Sequence, residues 1–146
     1  MTYERILVPL DGSQMAEYIL GQVTTMATKF DSIVPILHVV NAATPRPENM
    51  TPSQISAQAD IALYVERVAE KLERRDVSVE WQISYGEPAS EIIRHATTHD
   101  VDLVMMSTHG KGNASKQELG SVALRVISRG QAPVMAVRPP EDVMAR

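Results

Sequence analysis

The chain has 146 residues, a formal net charge of −4 and no cysteine. Disulfides, thiolate chemistry and cysteine-ligated zinc are therefore excluded, and the acidic balance offers no basic face for nucleic acid as a main partner. A hydrophobic fraction of 44% with 22% charged residues is ordinary for a globular protein, and the length suits one domain over 1–146.

The N-terminus runs straight into a short apolar stretch holding Pro9 and Asp11, without the longer apolar run and cleavage site of a secretory signal. No stretch approaches the ~20 apolar residues that a membrane helix needs. The expectation is a cytoplasmic protein with no membrane partner.

Ile6-Leu7-Val8, stopped by Pro9 and Asp11-Gly12-Ser13, reads as a buried strand and a tight turn. Ala16, Ile19, Leu20, Val23, Met26 and Ala27 then recur with a helical period, and Ser13 is placed to cap that helix. Ile33 to Val40 is a second strand. Pro35 within it predicts that pairing begins only at about Ile36. After a polar loop, Thr51-Pro52-Ser53-Gln54 forms a capping-box sequence that opens a helix to about Arg75, with Ile61, Val65, Val68, Ala69 and Leu72 on its buried face.

Val77, Val79, Trp81 and Ile83 alternate with polar residues, as in an edge strand with one solvated face. Gly86-Glu87-Pro88 opens a third helix through Ala89, Ile92, Ile93 and Ala96. Asp102 to Met106 is a continuous apolar strand, hence central. A loop from Ser107 to Leu119 leads to a fourth helix through Val122, Leu124, Val126 and Ile127, which Gly130 ends as a C′ residue. Pro133 to Val137 is the fifth strand.

Regular alternation of strand and helix predicts an α/β fold: a doubly wound, Rossmann-like, five-stranded parallel sheet of order 3-2-1-4-5. Ligands in such sheets bind beyond the carboxyl ends of the strands, where the strand order reverses. Here that switch point lies between strands 1 and 4. It nominates the run Pro9 to Ser13, with Leu10 and Asp11, on one side, and the run Met106 to Ser121, with Ser107, His109, Gly110 and Gly120, on the other.

The loop after strand 4 carries glycines at 110, 112 and 120, hydroxyls at Ser107, Ser115 and Ser121, and a charge at Lys111. Glycines let backbone approach a ligand, and the amides of a helix N-terminus favour an anion. The loop therefore reads either as a phosphate cradle or as an ordinary flexible connection. It is neither a Walker P-loop nor a dinucleotide Gly-x-Gly-x-x-Gly. Asp11 reads either as an acceptor for ribose hydroxyls and a water-mediated Mg²⁺ ligand, or as a plain turn residue. His95 and His99 have a zinc-compatible spacing, although two surface histidines at a helix end explain them more simply. His38 reads as structural. No Ser/His/Asp arrangement or Gly-x-Ser-x-Gly elbow is present.

Taken in order, Arg5-Ile6-Leu7-Val8-Pro9-Leu10-Asp11-Gly12-Ser13, Gly86-Glu87-Pro88-Ala89, the run from Asp102 to Gly110, Gly120-Ser121-Val122-Ala123 and Pro133-Val134 resemble the universal stress protein family over nearly the whole chain. The ATP-binding members of that family resemble one another in Gly-x2-Gly-x9-Gly-Ser/Thr. Here Gly110, Gly120 and Ser121 match, and Ser107 stands where the first glycine is expected. The resemblance implies ATP, with Mg²⁺, at the switch point. It puts Asp11 near the ribose, the Val39 backbone near adenine, and Gly110, Gly120, Ser121, Val122 and the adjoining Ala123 near the phosphates. It also implies a homodimer through the last strand, 133–138. The sequence supports this separately, because Val134-Met135-Ala136-Val137 is an edge without charge or internal proline. The nucleotide would act as a ligand in stress response or signalling, with hydrolysis slow at most. The alternatives are an interaction module of the same fold and a slow ATPase.

Overall fold

The computed structural model describes residues 2–41, 43, 45–109 and 119–140, apart from the side chains of Gln14 and Met15. Strands β1 (Ile6–Pro9), β2 (Ile33–Asn41), β3 (Ser78–Gly86), β4 (Leu103–Ser107) and β5 (Val134–Val137) form one sheet of order β3-β2-β1-β4-β5. All four pairings are parallel, as the alternating sequence pattern requires. Among the described residues five α-helices accompany them: α1 (Gln14–Glu17), α2 (Leu20–Phe30), α3 (Pro52–Glu73), α4 (Pro88–Thr98) and α5 (Ser121–Arg129).

The period-2 alternation of strand side chains sends apolar residues to both faces of the sheet. Ile6, Val8, Val34, Ile36, Leu103 and Met105 pack against Ile19, Leu20, Val23, Val65, Val68 and Leu72 from α2, α3 and the turn before α2. Leu7, Leu37, Val104 and Met106 pack on the opposite face against Ala89, Ile92, Ala96, Ala123 and Val126 of α4 and α5. Two core layers thus clamp β1 and β4, and hold their carboxyl ends side by side.

The first predicted helix is two helices, with a turn at Tyr18–Ile19 between α1 and α2. Ile19 keeps right-handed helical angles (φ −76°, ψ −7°), so the interruption is slight. The capping box of α3 forms as expected: Thr51 Oγ1 accepts from the Gln54 amide and Gln54 Oε1 accepts from the Thr51 amide. Glu87 caps α4 by accepting from the amides of Ala89 and Ser90. The Ser90 hydroxyl and then the Ser90 amide hold its carboxyl well below the usual range, at about 2.

Pro35 does not shorten β2 as predicted. The ladder to β3 is continuous from Ile33 to Asn41. Alternate residues of a strand turn their N–H groups to the same side, so Pro35 shares its side with Ile33, which donates to the Glu4 carbonyl of the segment entering β1. The missing N–H falls in the gap between the Arg5–Ile33 bridge and the Val8–Ile36 pair. The proline is tolerated because one ladder skips there.

Gly130 also differs from expectation. It caps α5 with extended angles (φ −78°, ψ 160°), not as a left-handed C′ residue. A Cβ there would stand 2.7 Å from the Val126 carbonyl oxygen, so close approach is what requires glycine. The left-handed caps are aspartates: Asp31 (φ 52°), Asp76 (φ 61°) and Asp100 (φ 51°) follow α2, α3 and α4. In each case the next amide reaches back five residues, Ser32 to Ala27, Val77 to Leu72 and Val101 to Ala96, as in a Schellman ending.

His95 is buried, against the expectation of two surface histidines. Its ring stacks on that of His99 with centroids 3.9 Å apart. Among the described residues, no helix is long and apolar enough to cross a membrane.

Candidate functional site

Leu7 pairs with Val104, a register that sets Pro9 level with Met106 at the carboxyl end of the sheet. From there the two chains part. The strand order reverses between β1 and β4, so α1 leaves toward one face and α5 toward the other, and a crevice opens between them.

The first lip is the turn after β1. Leu10 extends the pairing by one residue: its amide donates to the Leu37 carbonyl at 2.9 Å. Its carbonyl accepts from His38 Nδ1 at 3.0 Å. A carbonyl can only accept, so the proton of that imidazole is on Nδ1. The chain then turns sharply. Asp11 Oδ1 accepts from the Ser13 amide at 2.9 Å, Gly12 takes the left-handed conformation (φ 86°), and Ser13 Oγ accepts from the Ala16 amide at 3.0 Å. Ser13 thus caps α1 as its sequence position predicts, and Asp11-Gly12-Ser13 is a true Asx turn. The turn does not exhaust Asp11, because a carboxylate has about four lone-pair sites. Tyr64 of α3 stands near this lip. Burial, and then the carboxylates of Glu17 and Asp11, push its phenol well above the usual range.

Val39 lies on β2 just beyond the end of β1. Its backbone groups face the same side as those of Leu37, where β1 has already turned away. Its side chain is half-buried against the α4/α5 layer.

The second lip follows β4. Met106, Ser107, Thr108 and His109 are all buried. Ser107 Oγ accepts from the His109 amide at 3.2 Å, so this hydroxyl is folded back on its own loop. The Thr108 amide donates to the Val137 carbonyl of β5, and the Thr108 hydroxyl bonds His109 Nδ1 at 2.7 Å. The Thr108 carbonyl accepts from the Gly120 amide at 2.7 Å. This bond holds Thr108 and Gly120 together. Gly110, predicted as a contact, lies outside the described residues, as do Lys111, Gly112 and Ser115.

Gly120 is the N-cap of α5 and has no side chain to satisfy the helix. The amides of Ser121, Val122 and Ala123 have no intrahelical acceptor, which is the general condition of a first helical turn. Together with the helix dipole they favour an anion. Ser121 is exposed, Val122 half-buried and Ala123 buried. A carboxylate on one lip and helix amides on the other suit a ligand with both hydroxyls and phosphates. Sequence patterns do not single out Thr108, whose backbone holds both β5 and α5. The only signal for His38 is that it is a polar residue in an apolar strand.

Comparison with known proteins agrees with this architecture. A model of the universal stress protein family matches residues 2–138. The universal stress protein MJ0531 of Methanocaldococcus jannaschii is 31% identical over 146 aligned positions, covering 95% of this chain and 84% of its own. The solved structure of MJ0577 from the same organism superposes with a TM-score of 0.79 at 28% identity, covering 96% of this chain and 99% of its own. A universal stress protein in complex with cAMP has a TM-score of 0.73 at 19% identity, over 94% of this chain and 98% of its own. An Arabidopsis thaliana family protein with AMP bound has a TM-score of 0.70 at 19% identity, over 95% of this chain and 94% of its own. The chain belongs to the universal stress protein family.

Proposed function

We propose that this protein binds an adenine nucleotide, ATP with Mg²⁺ in the leading case, at the crevice between β1 and β4. The observation that carries the reading is that the Asp11 turn and the first turn of α5, whose N-cap Gly120 has no side chain, follow the adjacent carboxyl ends of β1 and β4. Asp11 would accept from ribose hydroxyls and hold Mg²⁺ through water. The Val39 backbone, with Pro9, Leu10 and Met106, would border the base. Gly110, Gly120, Ser121, Val122 and Ala123 would meet the phosphates, with Ser107 and His109 shaping the loop beside them. Relatives of the same fold with AMP or cAMP bound support the ligand class.

In this reading the 146 residues act as one cytoplasmic domain. The nucleotide is a ligand whose occupancy shifts conformation and partner binding in a stress response, and hydrolysis is slow at most. A second copy would pair along the segment 133–138, which holds β5 and carries Met135, 38% exposed. Calorimetric titration with Mg-ATP, AMP and cAMP tests the ligand, and sedimentation tests the dimer. Saturable binding of at least one nucleotide is expected. Silence with all three would favour the interaction-module reading, for which Ser107 in place of the first motif glycine is the supporting feature.

A further inference from the structure

We infer that His38 is a positioning residue for the crevice: its imidazole takes the place of a backbone amide at the Leu10 carbonyl, fixing the Asp11 turn and leaving the Val39 peptide to the ligand. The inference rests on the nucleotide reading above for what that ligand is.

The argument is one of ladder geometry. In a parallel pair each residue donates to one partner carbonyl and accepts from the amide two residues further on. Leu37 follows this rule, accepting from the Leu10 amide at 2.9 Å. Carried on by one step, the same ladder would bring the Val39 amide to the Leu10 carbonyl. Among the described residues no such backbone bond is made. The Leu10 carbonyl accepts instead from His38 Nδ1 at 3.0 Å.

Two consequences follow. Leu10 is 3% exposed and His38 is 8% exposed, so this is a buried hydrogen bond that solvent cannot readily replace. It holds the last peptide before Asp11, and the Asx turn is built directly on that peptide. The side chain, rather than the strand, also bears the load at Leu10. The Val39 N–H and C=O are thus spared from the ladder at the mouth of the crevice.

The test uses the full chain with His38→Leu, which keeps an apolar volume and removes the donor, and His38→Asn, whose Nδ2 lies close to the position of Nδ1. Amide hydrogen exchange is read without ligand at Leu10 to Ser13, and AMP affinity is read by calorimetry. His38→Leu is expected to speed exchange at Leu10–Ser13 at least tenfold while Leu7 and Val104 keep their protection. It is also expected to weaken AMP at least fivefold, and His38→Asn should restore most of both. Unchanged exchange in the His38→Leu protein overturns the inference. So does an asparagine variant no better than the leucine one, since donation to the carbonyl would then be irrelevant. A wild-type protein that binds no AMP overturns the nucleotide reading instead, and the exchange measurement still decides the role of His38 in the turn. Should His38→Leu fail to fold, His38→Met, which also lacks a donor, replaces it with the same expectations.

Discussion

The Gly120 amide donates to the Thr108 carbonyl at 2.7 Å, and this single bond ties the start of α5 to the end of β4. A Cβ on residue 120 would stand 3.0 Å from that same oxygen. The bond and a larger side chain are therefore in competition. Gly120→Val is predicted to displace the first turn of α5 and to weaken ATP at least fivefold, on the order of 1 kcal/mol. Calorimetry on the folded variant reads this directly, and an unchanged affinity would put the nucleotide elsewhere.

In the proposed reading Asp11 has two separable roles. Its Oδ1 accepts from the Ser13 amide, which an asparagine carbonyl can equally do. The negative charge is what Mg²⁺ would require. Asp11→Asn should therefore leave the urea midpoint close to that of wild type while lowering Mg-ATP affinity about tenfold. Asp11→Ala should lower both. A large stability loss in Asp11→Asn with unaltered Mg-ATP binding would assign Asp11 to the turn alone.

His95 makes stability depend on pH. Burial, then the neighbouring His99, Arg94 and Arg5, lower its pKa from 6.5 to about 4, with Glu80 opposing. The unfolded chain thus binds a proton that the folded chain refuses, and stability must fall as the pH drops from about 6.5 toward 4. The contribution is on the order of 3 kcal/mol. Other groups also contribute to the loss of stability on acidification. The informative quantity is therefore the difference between wild type and His95→Leu in urea denaturation at pH 7 and pH 4.5. The variant should lose less stability on acidification than the wild type. Equal losses would show that His95 does not resist protonation.

Two glycines give opposite predictions. Gly21 lies in the first turn of α2 and a Cβ there meets nothing within 4 Å. Gly21→Ala should stabilise the fold by about 0.5–1 kcal/mol through helix propensity and unfolded-state entropy. Gly130→Ala should destabilise it, because its Cβ meets the Val126 carbonyl oxygen at 2.7 Å and a backbone atom cannot turn aside. Thermal unfolding of the two variants should move Tm in opposite directions.

The sheet order was legible because each strand is an apolar run of the right length between turn residues, and alternation with helices leaves few topologies. The switch point followed from that order without any motif. Pro35 misled because proline is judged against a single strand, whereas its missing N–H matters only on the side where a ladder needs it. Gly130 misled for a similar reason: the sequence shows that glycine is required, but not whether φ or close approach requires it. The fourth helix shows a further limit. Leu124 and Ile127 continue its apolar pattern, yet they are 51% and 43% exposed, while the smaller Ala123 joins Val126 in the core. Periodicity marks an apolar residue without saying which surface will cover it. His95 departs from the expected exposure because histidine is usually near solvent, and nothing local in the sequence reveals that its side of α4 is buried. At the site, Asp11 and Gly120 were legible as residue types with special backbone roles, whereas the Thr108 carbonyl and the His38 clamp depend on contacts made only in the folded chain.

The most direct test of the nucleotide site is to denature freshly purified protein, identify any released small molecule by mass spectrometry, and titrate the emptied, refolded protein with Mg-ATP. Near-stoichiometric adenine nucleotide, or saturable binding on titration, is the result predicted here. A protein that releases none and gives no heat with Mg-ATP, AMP or cAMP would contradict it.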